Sequence, residues 1–302
     1  MRTLPASSLG LERLVDAWNL AYAGYFVPMS WDVAQLQRHL RAGSVDLDRS
    51  LVWLDGEEPI ALSLLGVRGS AAAAESEHST VGVVSSAHNP SLHPGGERGW
   101  IGGFGVAPSH RGRGLSAQLM RAHLEALRVH GPRQVQLEVL TPNWARRTYE
   151  RAGFATTRRL LVLQGELVGQ GATADTSWAD PDQVPDLVGQ LGRLHAAYAP
   201  AWGREAVGVL EDPDGLRCLV LGPVAALDAV ALVREEAGSV RVVEAVACDA
   251  ASAGALAGGL ARAYPGRDFR IVNEPEGSPL ADAFARAGLA EVMAQYEMHW
   301  HA

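Results

Sequence analysis

A run of arginine and glycine, RGRG at 111–114, lies between a short apolar stretch and a helical pattern that begins at Leu115. The first turn of a helix leaves backbone N–H groups without intrahelical partners, and the helix dipole places partial positive charge there. Glycines let a bound group approach the backbone closely, and arginines add positive charge. The pattern therefore predicts an anion site suited to a pyrophosphate, although a solvated arginine turn that caps a helix has the same sequence.

Three classes of phosphate-bearing ligand fit such a corner to different degrees. A nucleoside-triphosphate loop needs Gly-Lys-Ser/Thr, which is absent. The spacing Gly112-x-Gly114-x-x-Ala117 fits a dinucleotide motif, but no acidic residue ends the next strand, because Glu138 lies inside QLEVL. A hairpin also precedes the corner, so a dinucleotide oxidoreductase is disfavoured and coenzyme A remains as the third class.

Two separated motifs make the first half of the chain similar to the GNAT superfamily of N-acetyltransferases. Arg111-x-x-Gly114-x-Ser116 resembles the R/Q-x-x-G-x-G/A pyrophosphate motif of that superfamily, with Ser in place of the final Gly or Ala. The stretch NWARRTYERAGF at 143–154 resembles its second signature. The order of hairpin, strand, motif, helix, strand, helix and strand is also similar, and the resemblance covers roughly residues 1–165.

The resemblance implies acetyl-CoA as co-substrate and no metal. Backbone N–H groups of 111–116 would hold the pyrophosphate, and the strand edge at 104–106 would pair with the pantetheine amides. Glycines at 102, 103 and 105 would keep the acetyl channel open, unless they serve a bulged or close-packed strand. The implied cofactor-binding residues are Phe104, Gly105, Val106, Arg111, Gly112, Arg113, Gly114, Leu115, Ser116, Asn143 and Arg146.

The same resemblance implies direct transfer of the acetyl group to an amine. Tyr149 would protonate the departing thiolate as general acid, with a buried core tyrosine as the alternative. An N–H group near Val106 would polarise the thioester carbonyl. The strand GWIGGFGV has no carboxylate, so we take Glu138 as the general base, with Glu97 or a water chain as alternatives. Glu138 could equally be salt-bridged or face outward, and Asn143 could simply be a helix N-cap.

The acceptor pocket is expected to draw on Tyr25, Phe26 and Met29, which lie between the first two predicted helices. Their apolar character is compatible with many amines, so the expected partner is a small-molecule or a protein amine. The absence of a carboxylate on the third strand keeps a second function open, a non-catalytic acyl-CoA-binding or sensing protein with the same fold.

The length of 302 residues indicates about two domains. We predict a GNAT domain at 1–168, with an inserted loop at 68–97, and a degenerate GNAT-like domain at 169–302. The tail SPLADAFARAGLAEV repeats NWARRTYERAGFATT, but Ser278 and Phe284 stand opposite Asn143 and Tyr149. The predicted fold is mixed α/β, two tandem domains that each have a mostly antiparallel sheet with a central splayed parallel pair flanked by helices.

Charge and composition exclude several other functional classes. The net charge of −8 argues against a general nucleic-acid binder and against docking to an anionic membrane by charge. No stretch approaches 18 apolar residues, so we expect no membrane span. The three histidines of the insert, His78, His88 and His93, are too irregularly spaced for a metal site. The N-terminal stretch has no apolar core of the secretory kind, so we expect a cytoplasmic protein. The Ala-, Gly- and Arg-rich composition suggests a bacterial source, and the sequence leaves the oligomeric state open.

Overall fold

The computed structural model describes residues 1–69, 96–169, 175–194, 198–224 and 226–302. Two compact units divide them: 1–69, 96–157 and 297–302 form the first unit, and the described residues of 158–296 form the second. The predicted domain boundary after residue 168 stays a prediction, since these units are defined by compactness alone. Almost all of the predicted insert at 68–97 lies outside the described residues.

The first unit begins with a strand that the sequence analysis missed, followed by two predicted helices and a predicted hairpin. Its sheet has the order β1-β2-β3-β4-β5, antiparallel except for the last pair. The elements are β1 (Arg2–Pro5), α1 (Leu11–Ala21), α2 (Val33–Ala42), β2 (Val45–Asp55), β3 (Glu58–Arg68), β4 (Arg98–Val106), α3 (Leu115–His130), β5 (Gln134–Leu140) and α4 (Arg146–Arg151). Strand β6 (Ala155–Glu166) contains residues of both units.

Local sequence explains why these elements form where they do. Gly56 adopts φ +60° in the turn between β2 and β3, as the Asp-Gly pair predicts. Helix α2 begins after Asp32, whose side chain and that of Gln35 form a capping box. Helix α1 buries one face, with Leu14 and Trp18 fully covered in a core shared with α2 and β3.

Strands β4 and β5 separate along their length. They pair in parallel only from Arg98–Gln134 to Trp100–Gln136, although β4 continues to Val106 and β5 to Leu140. The remaining parts of the two strands diverge, so the backbone groups on the β5 side of β4 beyond Trp100 face an opening, while the other side stays paired with β3. The opening ends close to the RGRG corner, which follows β4 in the chain.

The second unit repeats this arrangement. Its sheet has the order β6-β11-β10-β9-β8-β7, and the parallel strands β10 and β11 pair only from Ser239–Asp268 to Val242–Ile271. The fold class predicted from the sequence is therefore confirmed. The elements are β7 (Thr176–Trp178), α5 (Val184–Leu194), α6 (Ala206–Leu210), β8 (Leu216–Leu221), β9 (Ala229–Glu236), β10 (Ser239–Ala247), α7 (Ala250–Ala263), β11 (Asp268–Pro275) and α8 (Pro279–Arg286). Strand β12 (Ala290–His301), like β6, contains residues of both units.

The last six residues of the chain belong to the first unit. Trp300 is buried there, under the guanidinium of Arg128, and the N–H of Ala302 donates to the carbonyl of Arg133 at 2.9 Å. No helix of the described chain is long and apolar enough to cross a membrane.

Candidate active site

The RGRG corner has the backbone of an anion site. Gly112 and Gly114 both adopt φ +75°, and a Cβ at either position would meet no atom within 4 Å. Backbone conformation, and not crowding, therefore requires glycine at both positions. The first intrahelical hydrogen bond of α3 joins the N–H of Gln118 to the carbonyl of Gly114 at 3.2 Å. The N–H groups of 115–117 precede that bond, so they are available to a ligand.

The two arginines of the corner differ. Arg111 donates from Nε to the carbonyl of Val106 at 2.9 Å and from a terminal nitrogen to those of Ala21 at 3.0 Å and Ala23 at 2.9 Å. Its guanidinium thus ties the end of β4 to the end of α1, which fixes the position of its charge. Arg113 is exposed and has no ion pair among the described residues, so its charge is accessible to a ligand at the corner.

Leu115 and Ser116 have separate places in the first turn of α3. Leu115 is buried in a small apolar cluster with Val106 and Leu119, which anchors the start of the helix. Ser116 is half-buried one position later. The corner can therefore offer the backbone N–H of Leu115, but not its side chain, to a ligand.

Close packing explains the three glycines of β4. A Cβ at Gly102 would lie 2.0 Å from the ring of Trp100, and one at Gly103 would lie 2.5 Å from Trp18. At Gly105 the nearest atoms, 3.0 Å away, belong to Ala21 of α1. The expectation that these glycines keep an acetyl channel open is wrong, because neighbouring groups already fill the space that a side chain would need.

Aromatic side chains and hydroxyl groups meet at the edge of β4. The ring of Tyr149, from α4, lies edge-on to that of Phe104 at 5.6 Å between centroids. Burial raises the pKa of Tyr149 well above its usual value, and neighbouring Tyr22 and Tyr25 raise it further. No hydrogen bond to the Tyr149 hydroxyl is found within the part of the chain that the structure describes. Tyr149 is therefore a buried core tyrosine, which was the alternative interpretation of the sequence. It also places a protonated hydroxyl beside the opening.

Tyr22, the residue that follows α1, was not singled out by the sequence analysis as a site residue. Its hydroxyl accepts the N–H of Phe104 at 3.1 Å, and burial raises its pKa. The spacing of four residues from Trp18 was a usable signal, because it places both rings on one face of α1, 4.4 Å apart.

The Asn143 segment differs from its expected local structure. Helix α4 begins at Arg146, and the Asn143 side chain accepts the N–H of Ala145 at 2.9 Å in a turn before the helix. The alternative role of N-cap is therefore wrong. The amide nitrogen of Asn143 donates to the Tyr25 hydroxyl at 3.3 Å, while Arg146 forms an ion pair with Glu150 at 2.8 Å.

The two carboxylates considered as general base have different surroundings. Glu138, on β5, accepts the indole N–H of Trp100 at 2.6 Å and is half-buried. Glu97 forms a partly exposed ion pair with Arg49 at 2.6 Å. Glu97 is therefore engaged by a cation, whereas the bond from Trp100 to Glu138 comes from a neutral donor.

The expected acceptor residues divide into two groups. The rings of Tyr25 and Phe26 lie 5.6 Å apart, and Phe26 is 55% exposed. Met29 instead packs against the α1–α2 core, and its carbonyl accepts the indole N–H of Trp18 at 2.9 Å. Only Tyr25 and Phe26 are therefore brought together.

A buried histidine lies near the same region and was not foreseen. The ring of His39 lies 4.9–5.6 Å from the rings of Trp18, Trp31 and Trp100, and burial lowers its pKa to about 4. Its Nε2 is buried with no partner among the described residues. Within the same residues no group of three potential metal ligands occurs.

The corresponding corner of the second unit has other chemistry. Asp249 caps α7 and accepts the N–H of Ser252 at 2.8 Å, so a carboxylate occupies the helix N-terminus. Arg204 is buried between β10 and β11, where it pairs with Glu244 at 2.8 Å and Glu274 at 2.6 Å. The buried ring of Phe284 stands on α8 without a hydroxyl.

Comparisons with known proteins agree with this geometry. The family model for acetyltransferase (GNAT) family proteins matches residues 18–154. A putative acetyltransferase from Pyrococcus horikoshii has a TM-score of 0.61 at 16% identity, over 100% of this chain and 88% of that chain. A GCN5-related N-acetyltransferase from Anabaena variabilis has a TM-score of 0.66 at 12% identity, over 99% of this chain and 72% of that chain.

A tandem GNAT protein from the clavulanic acid biosynthesis pathway has a TM-score of 0.62 at 13% identity, over 99% of this chain and 98% of that chain. No curated protein matches the sequence. Residues 18–154 are therefore similar to the acetyltransferase (GNAT) family, and the fold of the chain is that of these solved acetyltransferases. The resemblance predicted from the two motifs is confirmed at this level.

Proposed function

We propose that the protein is an acetyl-CoA-dependent N-acetyltransferase whose active site lies in the first unit. The family and fold support an acyl-CoA-dependent acetyltransferase in general. The observation that carries the narrower proposal is the opening between β4 and β5, with the glycine corner at its end and the Tyr149 hydroxyl beside it.

The corner and the strand edge would hold the two parts of the co-substrate. Backbone N–H groups at the start of α3, with the charge of Arg113, suit the pyrophosphate. The edge of β4 from Phe104 to Val106 suits the pantetheine amides, because strand backbone pairs with an extended ligand as it would with another strand. The Tyr22 hydroxyl accepts the hydrogen bond of the Phe104 N–H. A ligand carbonyl must therefore displace this hydroxyl or bind a neighbouring N–H group.

The proposed reaction is direct acyl transfer. The neutral nitrogen of a primary amine attacks the thioester carbonyl carbon, a C–N bond forms and the C–S bond breaks. The thiolate takes the proton of the Tyr149 hydroxyl, which burial keeps protonated. Glu138 takes the proton that the amine nitrogen loses. A β4 N–H near Val106 polarises the carbonyl oxygen.

The second unit is proposed to be a degenerate GNAT-like domain. The Asp249 carboxylate would repel a pyrophosphate at the start of α7, where the first unit offers Arg113 instead. Arg204 fills the opening between β10 and β11, and Phe284 has no proton to give. These three differences favour a single active site, in the first unit.

The proposed acceptor is a small-molecule or protein amine that enters beside Tyr25 and Phe26. Exposed aromatic surface at Phe26 favours an acceptor with apolar parts. The Ala- and Arg-rich composition favours a bacterial source. The acceptor itself must be found by experiment.

Calorimetry with acetyl-CoA, followed by release of free thiol in the presence of an amine panel, tests the proposal. We expect one binding event and thiol release that depends on an amine. Arg113→Glu should weaken binding at least tenfold, since it reverses charge at the corner, whereas the matched exposed substitution Arg151→Glu should not. Binding without amine-dependent release would favour the acyl-CoA-binding or sensing function, and no binding would reject both.

A further inference from the structure

Three arginines lie side by side on one face of the sheet in the second unit. Arg241, on β10, is the direct register partner of Arg234 on β9 and of Arg270 on β11. Directly opposed residues of neighbouring strands share a face of the sheet, and their Cα atoms are about 5 Å apart. The three side chains therefore start along a line about 10 Å long, which we call the arginine row.

The alternation of buried and exposed residues fixes the direction of these side chains. Val240 and Val242 flank Arg241 in sequence and are buried in the core that the sheet shares with α7 and α8. The two neighbours of Arg270 in sequence are buried in the same core. Successive strand residues point to opposite faces, so the arginine row faces away from that core. Arg241 and Arg270 are both exposed and are accessible to a ligand.

The described part of the chain neutralises one of the three charges by direct pairing. Arg234 forms an ion pair with Asp212 at 3.0 Å. Neither Arg241 nor Arg270 forms an ion pair or a side-chain hydrogen bond with any described residue. Like charges directly opposite one another destabilise a sheet. An anion held between Arg241 and Arg270 would remove this repulsion.

Acidic residues border the arginine row and limit what can bind to it. Glu236 and Asp268 lie one row further along the same face, since both are register partners of Ser239. An extended polyanion, such as a nucleic acid or an anionic membrane, would place like charge against both carboxylates, and the net charge of −8 adds to this repulsion. A compact anion that stays between the arginines avoids them.

The two unpaired guanidinium groups match phosphate better than carboxylate. A single arginine fork satisfies both oxygens and the one negative charge of a carboxylate. A phosphate monoester carries a charge of about −1.5 to −2 at neutral pH and has three acceptor oxygens. It can therefore accept hydrogen bonds from both guanidinium groups at once and neutralise both charges.

We propose that the arginine row is a binding site for a small soluble phosphate monoester, whose terminal oxygens accept hydrogen bonds from Arg241 and Arg270. The row lies where β10 and β11 are still paired, outside the opening between them. The site belongs to the second unit and does not depend on the function proposed for the first. It gives a phosphorylated metabolite a binding place of its own on this protein.

Titration of the full chain with three small anions, followed by NMR of the arginine Nε–H groups, tests the proposal. The probes are methyl phosphate, its monoanionic isostere methyl sulfate, and acetate. At about pH 8 methyl phosphate is a dianion. It should bind at least tenfold more tightly than either monoanion and shift the Nε–H signals of Arg241 and Arg270. Equal affinity for methyl phosphate and methyl sulfate, or shifts confined to other arginines, would overturn the proposal.

Neutral variants locate the site. Arg241→Gln and Arg270→Gln should each weaken methyl phosphate binding about tenfold. Arg286→Gln, at an exposed position of α8 on the other side of the sheet, should leave it unchanged. Arg113→Glu, at the corner of the first unit, should leave it unchanged as well. Binding that is lost in Arg113→Glu and kept in Arg241→Gln would place the phosphate at the corner and reject the arginine row.

Thermal unfolding separates ligand binding from a role in the fold. Arg241→Gln removes a like charge from the row, so the Tm of the ligand-free protein should stay the same or rise. Methyl phosphate should raise the Tm of the unaltered protein but not that of the variant. A lower Tm of the variant together with unchanged phosphate affinity would assign Arg241 to the fold and overturn the proposal.

A vesicle experiment distinguishes a soluble ligand from a lipid headgroup with the same chemistry. The protein should not sediment with vesicles of phosphatidic acid and phosphatidylcholine, because Glu236 and Asp268 would face the anionic surface. Cosedimentation that Arg241→Gln abolishes would identify a lipid phosphate as the ligand and overturn the proposal of a soluble one.

Discussion

At the scale of the residue, the most informative group is the hydroxyl of Tyr149. Desolvation favours its neutral form, because the charged phenolate would lose hydration in the buried site. A raised pKa suits a group that must hold a proton until a thiolate forms. The same burial makes the side chain part of the core, so only removal of the hydroxyl separates the chemical role from the packing role.

Tyr149→Phe keeps the ring and removes the proton. We expect turnover to fall about 100-fold or more, with acetyl-CoA affinity changed less than twofold, because a general acid acts in the transition state. Thiol release and calorimetry measure the two quantities. Tyr264→Phe, a tyrosine of the second unit, serves as control and should keep full turnover. Full turnover by Tyr149→Phe would remove this residue from the mechanism.

Tyr22→Phe tests whether a protein hydroxyl and the ligand compete for the N–H of Phe104. Loss of the acceptor leaves a backbone donor without a partner, so the free energy of unfolding should fall by about 1–3 kcal/mol. Acetyl-CoA should then bind more tightly, because a ligand amide supplies the missing acceptor. Thermal unfolding and calorimetry measure both changes. A decrease in both would mean that the Tyr22 hydroxyl contacts the ligand directly.

At the scale of the element, the corner before α3 depends on two residues in a left-handed conformation. Gly114→Ala should lower the free energy of unfolding by about 1–2 kcal/mol, because φ +75° disfavours a residue with a Cβ. It should also weaken acetyl-CoA binding, since the N–H groups of the first turn would shift. Chemical denaturation and calorimetry measure these effects.

Gly254→Ala is the matched control for that substitution. Gly254 lies inside α7 at an exposed position, and a Cβ there would also meet no atom within 4 Å. The change should leave stability the same or slightly higher, because alanine favours a helix interior over glycine. If Gly114→Ala were equally harmless, backbone conformation would not be the reason for glycine at the corner.

The sequence predicted most elements of the candidate site, because hydrophobic periodicity and turn residues act locally. It identified the corner, α3, β5 and the hairpin without any long-range information. It could not identify the neighbours that fill space beside Gly102 and Gly103, since Trp100 and Trp18 reach these positions only in the folded chain. The partners of Arg111 could not be predicted for the same reason, because the α1 carbonyl that it binds lies 90 residues away in sequence.

At the scale of the whole molecule, two buried histidines link stability to pH. Burial lowers the pKa values of His39 and His123 to about 4, and His123 is held between Ser63 and the carbonyl of Arg49. In the unfolded chain both rings take up a proton near pH 6.5. The contribution of the two neutral rings to the free energy of unfolding is therefore complete above pH 6.5 and is lost progressively as the pH falls toward 4.

We expect the loss to reach about 3 kcal/mol for each histidine by pH 4. Urea unfolding at several pH values measures the slope between pH 6.5 and 4. His39→Gln should reduce that slope by about one proton, whereas His301→Gln, at the exposed C-terminus, should leave it unchanged. The same slope in both variants would show that His39 stays accessible to protons in the folded protein.

The place of the last six residues has a consequence for how the protein is made. Trp300 lies 3.4 Å from the position that a Cβ would take at Gly153, just after the helix that carries Tyr149. Domains generally fold from the N-terminus during synthesis, yet this segment is synthesised after the whole of the second unit. The first unit therefore reaches its complete form only once the second unit has been synthesised, although nearly all of its own residues come before it.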